Sequence, residues 1–165
     1  MIKSKTCKTV ASLTCPKTYS MNTFKNEYGQ RANAIITNAL VMVGDELVDG
    51  QKFPPYAYTE KAAWDTGAEI TIISPRIVKT LNLIPYSTGQ FVGIGGDQTV
   101  NTYKVHIGLP NGKMILNEEV YCSDINDYDL LIGMDIITET DFLLTNADGK
   151  TTFQFRTPSE GNIEL

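Results

Sequence analysis

A chain of 165 residues, 42% hydrophobic and 20% charged, has the composition of one globular domain with a sizeable core rather than of a disordered segment. Its net charge of −5, with no basic cluster and no stripe of interleaved aromatic and basic residues, excludes a nucleic-acid footprint, which must neutralise phosphates. No apolar run approaches the ~20 residues that a bilayer span needs, so no membrane partner is expected.

The chain opens on "MIKSKTCKTVASLTCPKTYS". Lysines stand here without a continuous apolar segment behind them, a poor secretory signal. Cys7, Cys15 and Cys122 cannot all pair within one chain, and the C-x7-C spacing of the first two fits no usual zinc site. Reduced thiols and a cytoplasmic location are the expectation. Residues 1–33 are polar and weakly patterned, an N-terminal extension that either adds a strand or stays mobile. A domain over 34–165 follows it.

From Ala34 the pattern changes. "AIITNALVMV" is β-branched and bounded by Gly44, which reads as a strand. "DGQKFPPYAY" reads as a turn-rich connection, and "EKAAWD" and "EITIIS" as short strands on either side of Asp65-Thr66-Gly67. Ser74-Pro75 predicts a helix start, because serine caps and proline fits the first helical position. "PRIVKTLNL" then places Ile77, Val78 and Leu81 on one face.

Strands are predicted at "GQFVGI", "TVNTYKVHIGL", "KMILNEEVYC", "YDLLIG", "DFLLT" and "TTFQFR", with a brief helix over 134–138. Turns fall at Gly95-Gly96, Asn111-Gly112 and Asp148-Gly149. Many short strands with one or two short helices make an all-β sandwich or barrel. His106, the only histidine, lies in "YKVHIGL" and reads as a surface or core strand residue. Without a positioned imidazole, Ser–His–Asp and Cys–His chemistry are excluded, and so is an HExxH metal site.

"WDTGAEITIIS", "FVGIGGDQT" and "YDLLIGMDII", in that order, resemble the retropepsin-like aspartic proteases, the group of single-domain retroviral proteases and their small cellular relatives. The resemblance runs from about Ala34 to Arg156. D-T-G alone recurs by chance, but three elements in matching strand and turn contexts are far more specific. The resemblance implies a closed β-barrel and an aspartic endopeptidase that acts on a peptide or protein substrate, with no cofactor and no metal.

Such an enzyme needs two carboxylates close enough to share a proton. This chain carries one D-T-G, and neither Asp129 nor Asp135 is followed by Thr-Gly or Ser-Gly. A homodimer with its two-fold axis between two copies of Asp65 is therefore expected. By resemblance, Thr66 ties the two loops together and Ala68 keeps the substrate floor clear. Gly67 permits the tight turn and lets its N–H approach the carboxylate. Val92, Gly93, Ile94, Gly95 and Gly96 form a flap over the peptide. Ile132 and Gly133 pass beside the D-T-G loop and support it, and Asp135 is a helix cap or structural partner.

Competing accounts stay open. Asp65 is alternatively a turn aspartate bonded to its own backbone, and 93–96 a plain glycine-rich turn. Trp64 replaces a smaller residue, and Met134 a basic one that many relatives carry, which leaves room for an inactive dimerisation or peptide-binding module. A monomer whose first 33 residues cover the dimer face is a third account.

Overall fold

Stiff β-branched and aromatic side chains suit a pleated, half-buried surface, and they dominate the apolar stretches of this chain. The computed structural model describes residues 10–12, 22–45, 54–93 and 96–161, and there the chain is mostly strand. In chain order come β1 (Val10–Ser12), β2 (Thr23–Glu27), β3 (Ile35–Val43), β4 (Tyr56–Trp64) and β5 (Ile72–Ile73). Helix α1 (Pro75–Leu81) precedes the long strands β6 (Ser87–Gly93), β7 (Gly96–Gly108) and β8 (Lys113–Cys122). The chain closes with β9 (Leu130–Ile132), α2 (Met134–Ile137), β10 (Asp141–Thr145) and β11 (Thr152–Arg156).

Eight strands share one sheet in the order β1-β8-β5-β9-β4-β3-β7-β6. Because β7 also pairs with β8, the pairings β8-β5-β9-β4-β3-β7 close on themselves, and no edge is left open within that ring. The 13 residues of β7 make this possible. Its first half pairs with β6, while Val105 to Gly108 pair with β3. Val41, Ile73, Val105, Ile107, Leu130 and Ile132 point inside and are almost completely buried. Each such side chain contributes roughly 1.5–3 kcal/mol when removed from water.

The second sheet, β10-β11-β2, is antiparallel. Its strand β2 falls within the stretch read from sequence as an extension, and it pairs with β11 from Thr152↔Glu27 to Arg156↔Thr23. Phe24, Phe142, Phe153 and Phe155 cluster on this sheet, and the Trp64 ring packs into them, 4.7 Å from Phe155. The indole N–H donates to Thr37 Oγ1 at 3.0 Å, so burial leaves it satisfied.

Several local expectations hold in detail. The Ser74 hydroxyl caps α1 by accepting from the Ile77 N–H at 3.4 Å, Pro75 opens the helix, and Ile77 and Leu81 are buried. Asp148 and Gly149, at φ +51° and +76°, turn the chain between β10 and β11. His106 is a core residue whose Nδ1 accepts from the Asn117 N–H at 3.0 Å.

Two readings change. The connection "DGQKFPPYAY" ends earlier than expected, because β4 begins at Tyr56 directly after Pro55 and alternates exposed Tyr56 and Tyr58 with buried Ala57 and Thr59. Conversely, only Ile72–Ile73 of "EITIIS" form a strand, while Glu69 and the Thr71 N–H and hydroxyl bond to the segment around Gly133. Cys122 is free and half-buried, whereas Cys7 and Cys15 lie outside the described residues. Among the described residues no helix is long and apolar enough to cross a membrane.

Candidate active site

Strand β4 runs parallel to β9 with Trp64 opposite Ile132. One residue further on, the Asp65 N–H still donates to the Ile132 carbonyl at 2.9 Å. The ladder therefore delivers Asp65 to a fixed point before the chain turns. The turn closes with the Ala68 N–H donating to the Asp65 carbonyl at 3.2 Å. The Gly67 N–H donates to Asp65 Oδ1 at 2.8 Å, and a Cβ on Gly67 would stand 3.1 Å from that oxygen. This contact is tighter than side chains normally tolerate, so glycine is the residue that lets the N–H come so close.

Asp65 is half-buried, while Thr66 and Gly67 are exposed. Among the described residues no cation sits within ion-pair distance of its carboxylate, in contrast to Asp129 and Asp141. The carboxylate is thus held through its backbone and one N–H, with capacity left for further partners.

The rest of the loop is braced by the chain after β9. Met134 and Asp135 donate their N–H groups to the carbonyls of Ala68 and Glu69 at 2.8 and 3.2 Å. The Asp135 carboxylate accepts from the Thr71 N–H and hydroxyl at 2.9 and 2.7 Å, and the Gly133 N–H donates to Thr71 Oγ1 at 3.1 Å. Gly133 has no alternative: a Cβ there would lie 2.7 Å from the Ile70 carbonyl carbon and 3.0 Å from the Ala68 oxygen. Asp65, Thr66, Gly67, Ala68, Ile132 and Gly133 are therefore gathered in one place. Asp135, read from sequence as a helix cap or structural partner, is a structural partner here, whereas Thr71 as the residue it holds escaped sequence reasoning.

The hairpin read as a flap is β6 with the start of β7. Val92 stands opposite Asp97 and Gly93 opposite Gly96, whose φ is +92°. Ile94 and Gly95 fall outside the described residues. Strand β6 is outermost, so one of its edges is free of a strand partner among the described residues. Gly89, within β6, was not singled out by sequence; a Cβ there would overlap the Tyr121 ring at 2.3 Å, so the glycine seats that ring under the hairpin.

Two other aspartates, Asp129 and Asp135, are occupied. Asp129 accepts from Arg76 Nε at 2.6 Å and from the buried Thr59 hydroxyl at 2.6 Å. Hydrogen bonding to Arg76, with help from Thr59, holds its carboxyl below the usual range against the opposing effect of burial. Asp135 is saturated by Thr71 and by the Ile136 N–H at 2.9 Å. Asp65 is the half-buried acid of the loop whose oxygens remain available, next to the exposed Glu69.

No family model and no curated protein sequence matches this chain. Solved structures do. The EIAV protease complexed with the inhibitor HBY-793 is 18% identical with a TM-score of 0.44, over 64% of this chain and 86% of that one. A retropepsin-like aspartic protease from Rickettsia conorii is 12% identical with a TM-score of 0.48, over 84% of this chain and 96% of the other. By its structure, this mostly-β chain is similar to retropepsin-like aspartic proteases.

Proposed function

We propose that this protein is a cytoplasmic aspartic endopeptidase whose reactive pair consists of Asp65 from each of two copies. The observation that carries the reading is the half-buried Asp65 carboxylate at the end of a laddered strand, which receives one side-chain hydrogen bond where the aspartates Asp129 and Asp135 are saturated. One such acid is half of a site, and a two-fold axis beside the loop supplies the other half.

Two carboxyls ~3 Å apart cannot both ionise, so the pair holds one proton. The ionised member takes a proton from a water between them, and the protonated member polarises the scissile carbonyl. Water attacks the carbonyl carbon, a tetrahedral intermediate forms, and its C–N bond breaks as a proton reaches the leaving nitrogen. Gly67 contributes its N–H to the carboxylate. Thr66, exposed beside Asp65, ties the two loops to each other. Ala68 leaves the floor open to substrate. An extended peptide or protein segment lies under residues 92–96, held by main-chain hydrogen bonds as an added strand. Residues Ile132 and Gly133 serve as support.

The decisive experiment replaces Asp65 with Asn in the full chain. Acid-range cleavage of a peptide library should disappear, while the circular dichroism spectrum and melting point stay put. Equal cleavage by the two proteins would remove Asp65 from the chemistry and end this reading.

A further inference from the structure

A loop between two strands keeps one shape only where its backbone polar groups find partners. Residues 65–71 find several of theirs on one short segment. Asp65 is tied to Ile132 at the start, and Ala68 and Glu69 to Met134 and Asp135 in the middle. At the far end the tie is a carboxylate. Asp135 Oδ2 accepts from the Thr71 N–H at 2.9 Å, and Oδ1 accepts from the Thr71 hydroxyl at 2.7 Å and the Ile136 N–H at 2.9 Å. The same hydroxyl accepts from the Gly133 N–H at 3.1 Å. Thr71 is fully buried, so water cannot stand in for a lost partner.

Only a carboxylate satisfies this arrangement. Donors reach both oxygens, from Thr71 on one and from Thr71 and Ile136 on the other. A carboxamide of the same size keeps one oxygen, and its NH2 group must then face the Thr71 N–H or the Ile136 N–H, donor against donor. The side chain would fit and the chemistry would not, so the loop would have to move.

The geometry points to Asp135 as the positioning residue for Asp65: through Thr71 it sets where the loop ends, and hence the angle at which the reactive carboxylate meets its twin. This inference rests on the reading of Asp65 as the reactive acid. Asp135 acts through Thr71 and not on substrate, so its removal should slow turnover with little effect on binding.

The test compares wild type, Asp135→Asn, Thr71→Val and Thr71→Ser as full chains. It measures kcat and KM on a peptide the wild type cleaves, the pH dependence of kcat, and hydrogen exchange of the amides in 65–71. In Asp135→Asn and Thr71→Val, kcat should fall on the order of 10- to 100-fold, the effect of misplacing a reacting group by about 1 Å. KM should stay within about twofold, the mark of an interaction that matters in the transition state. Thr71→Ser keeps the hydroxyl and should restore kcat, and loop amides should exchange about tenfold faster in the damaged variants while those of β3 do not change. Unchanged loop exchange in Asp135→Asn, or a Thr71→Ser variant as impaired as Thr71→Val, overturns the inference. If Asp135→Asn does not fold, Thr71→Val carries the same test. If wild type and Asp65→Asn cleave alike, the protease reading fails by itself, and loop exchange alone decides whether Asp135 positions the loop.

Discussion

Asp65 and Asp129 lie at opposite ends of the same pair of neighbouring strands and are treated in opposite ways. Asp65 follows the last residue of β4 and receives one side-chain hydrogen bond, from the Gly67 N–H. Asp129 precedes the first residue of β9 and is saturated by Arg76 and Thr59, with Arg76 Nη2 2.5 Å from Oδ2. A carboxylate surrounded by donors belongs to the frame, because its charge is spent on holding chain segments together. One left with free lone pairs can bind a water, a proton or a second carboxyl. Partner count alone distinguishes Asp65 from Asp129, without appeal to any motif.

Asp65→Asn should produce the largest effect on function. Loss of the acid–base partner removes on the order of 10²- to 10⁴-fold in kcat, while stability should hardly change, since the Gly67 N–H still finds an oxygen. A large drop in melting point would place Asp65 in the frame with Asp129 and erase the contrast. Gly133→Ala attacks the brace beneath the open acid. Its new methyl meets the Ile70 backbone at 2.7 Å, which a flexible side chain could relieve but a main-chain atom cannot. The expected cost is about 1–3 kcal/mol, read as a shift in the urea midpoint, together with lost cleavage. A wild-type midpoint would mean that the loop has room the distances deny.

How far could all this be seen in the sequence? The strands were visible wherever alternation persisted: "DFLLT" is β10 residue for residue, and "TTFQFR" gives β11 less its first threonine. Asp65, Gly67 and Gly133 stood out because a charge or a glycine inside an apolar run demands a reason. Pro54-Pro55 misled, since the same punctuation that ends a turn also starts a strand, and β4 begins at the next residue. The Thr71–Asp135 clamp joins residues 64 positions apart, and a pair of ordinary polar side chains carries no periodic signal. The pairing of β2 with β11 is longer in range still. The packing of Trp64 on Phe142, Phe153 and Phe155 likewise joins residues far apart in the chain.

Asp129→Asn should behave as the mirror image of Asp65→Asn. The amide retains the shape but presents NH2 to a donor, either the Thr59 hydroxyl or the Arg76 guanidinium. Hydrogen bonds to charged groups of this kind contribute about 1.5–3 kcal/mol; the half-exposed Arg76 can recover part of its loss from water, so the lower end is expected. Cleavage by the folded fraction should match wild type. A variant with full stability and impaired turnover would move Asp129 from frame to chemistry.

The smallest effect concerns pH and carries the contrast to the second sheet. Asp141 is held well below the usual carboxylate range by the Ser159 hydroxyl, then by the Glu160 N–H and Arg156, which fasten the chain after β11 to β10. Asp129 is lowered as well, chiefly by Arg76. A carboxyl with a lower pKa folded than unfolded stabilises the fold fully above its unfolded value of about 4 and loses that contribution as pH falls through its folded value. Stability should therefore stay level from neutral pH down to about 5 and decline below about 4. Asp141→Asn should melt lower than wild type at neutral pH, with the gap closing as acid protonates the wild-type carboxyl. A gap of the same size at every pH would show that Asp141 acts through shape rather than charge. The sign also has a functional consequence. Asp129 and Asp141, both lowered, keep their charge at mildly acidic pH, so the parts of the frame they fasten hold there.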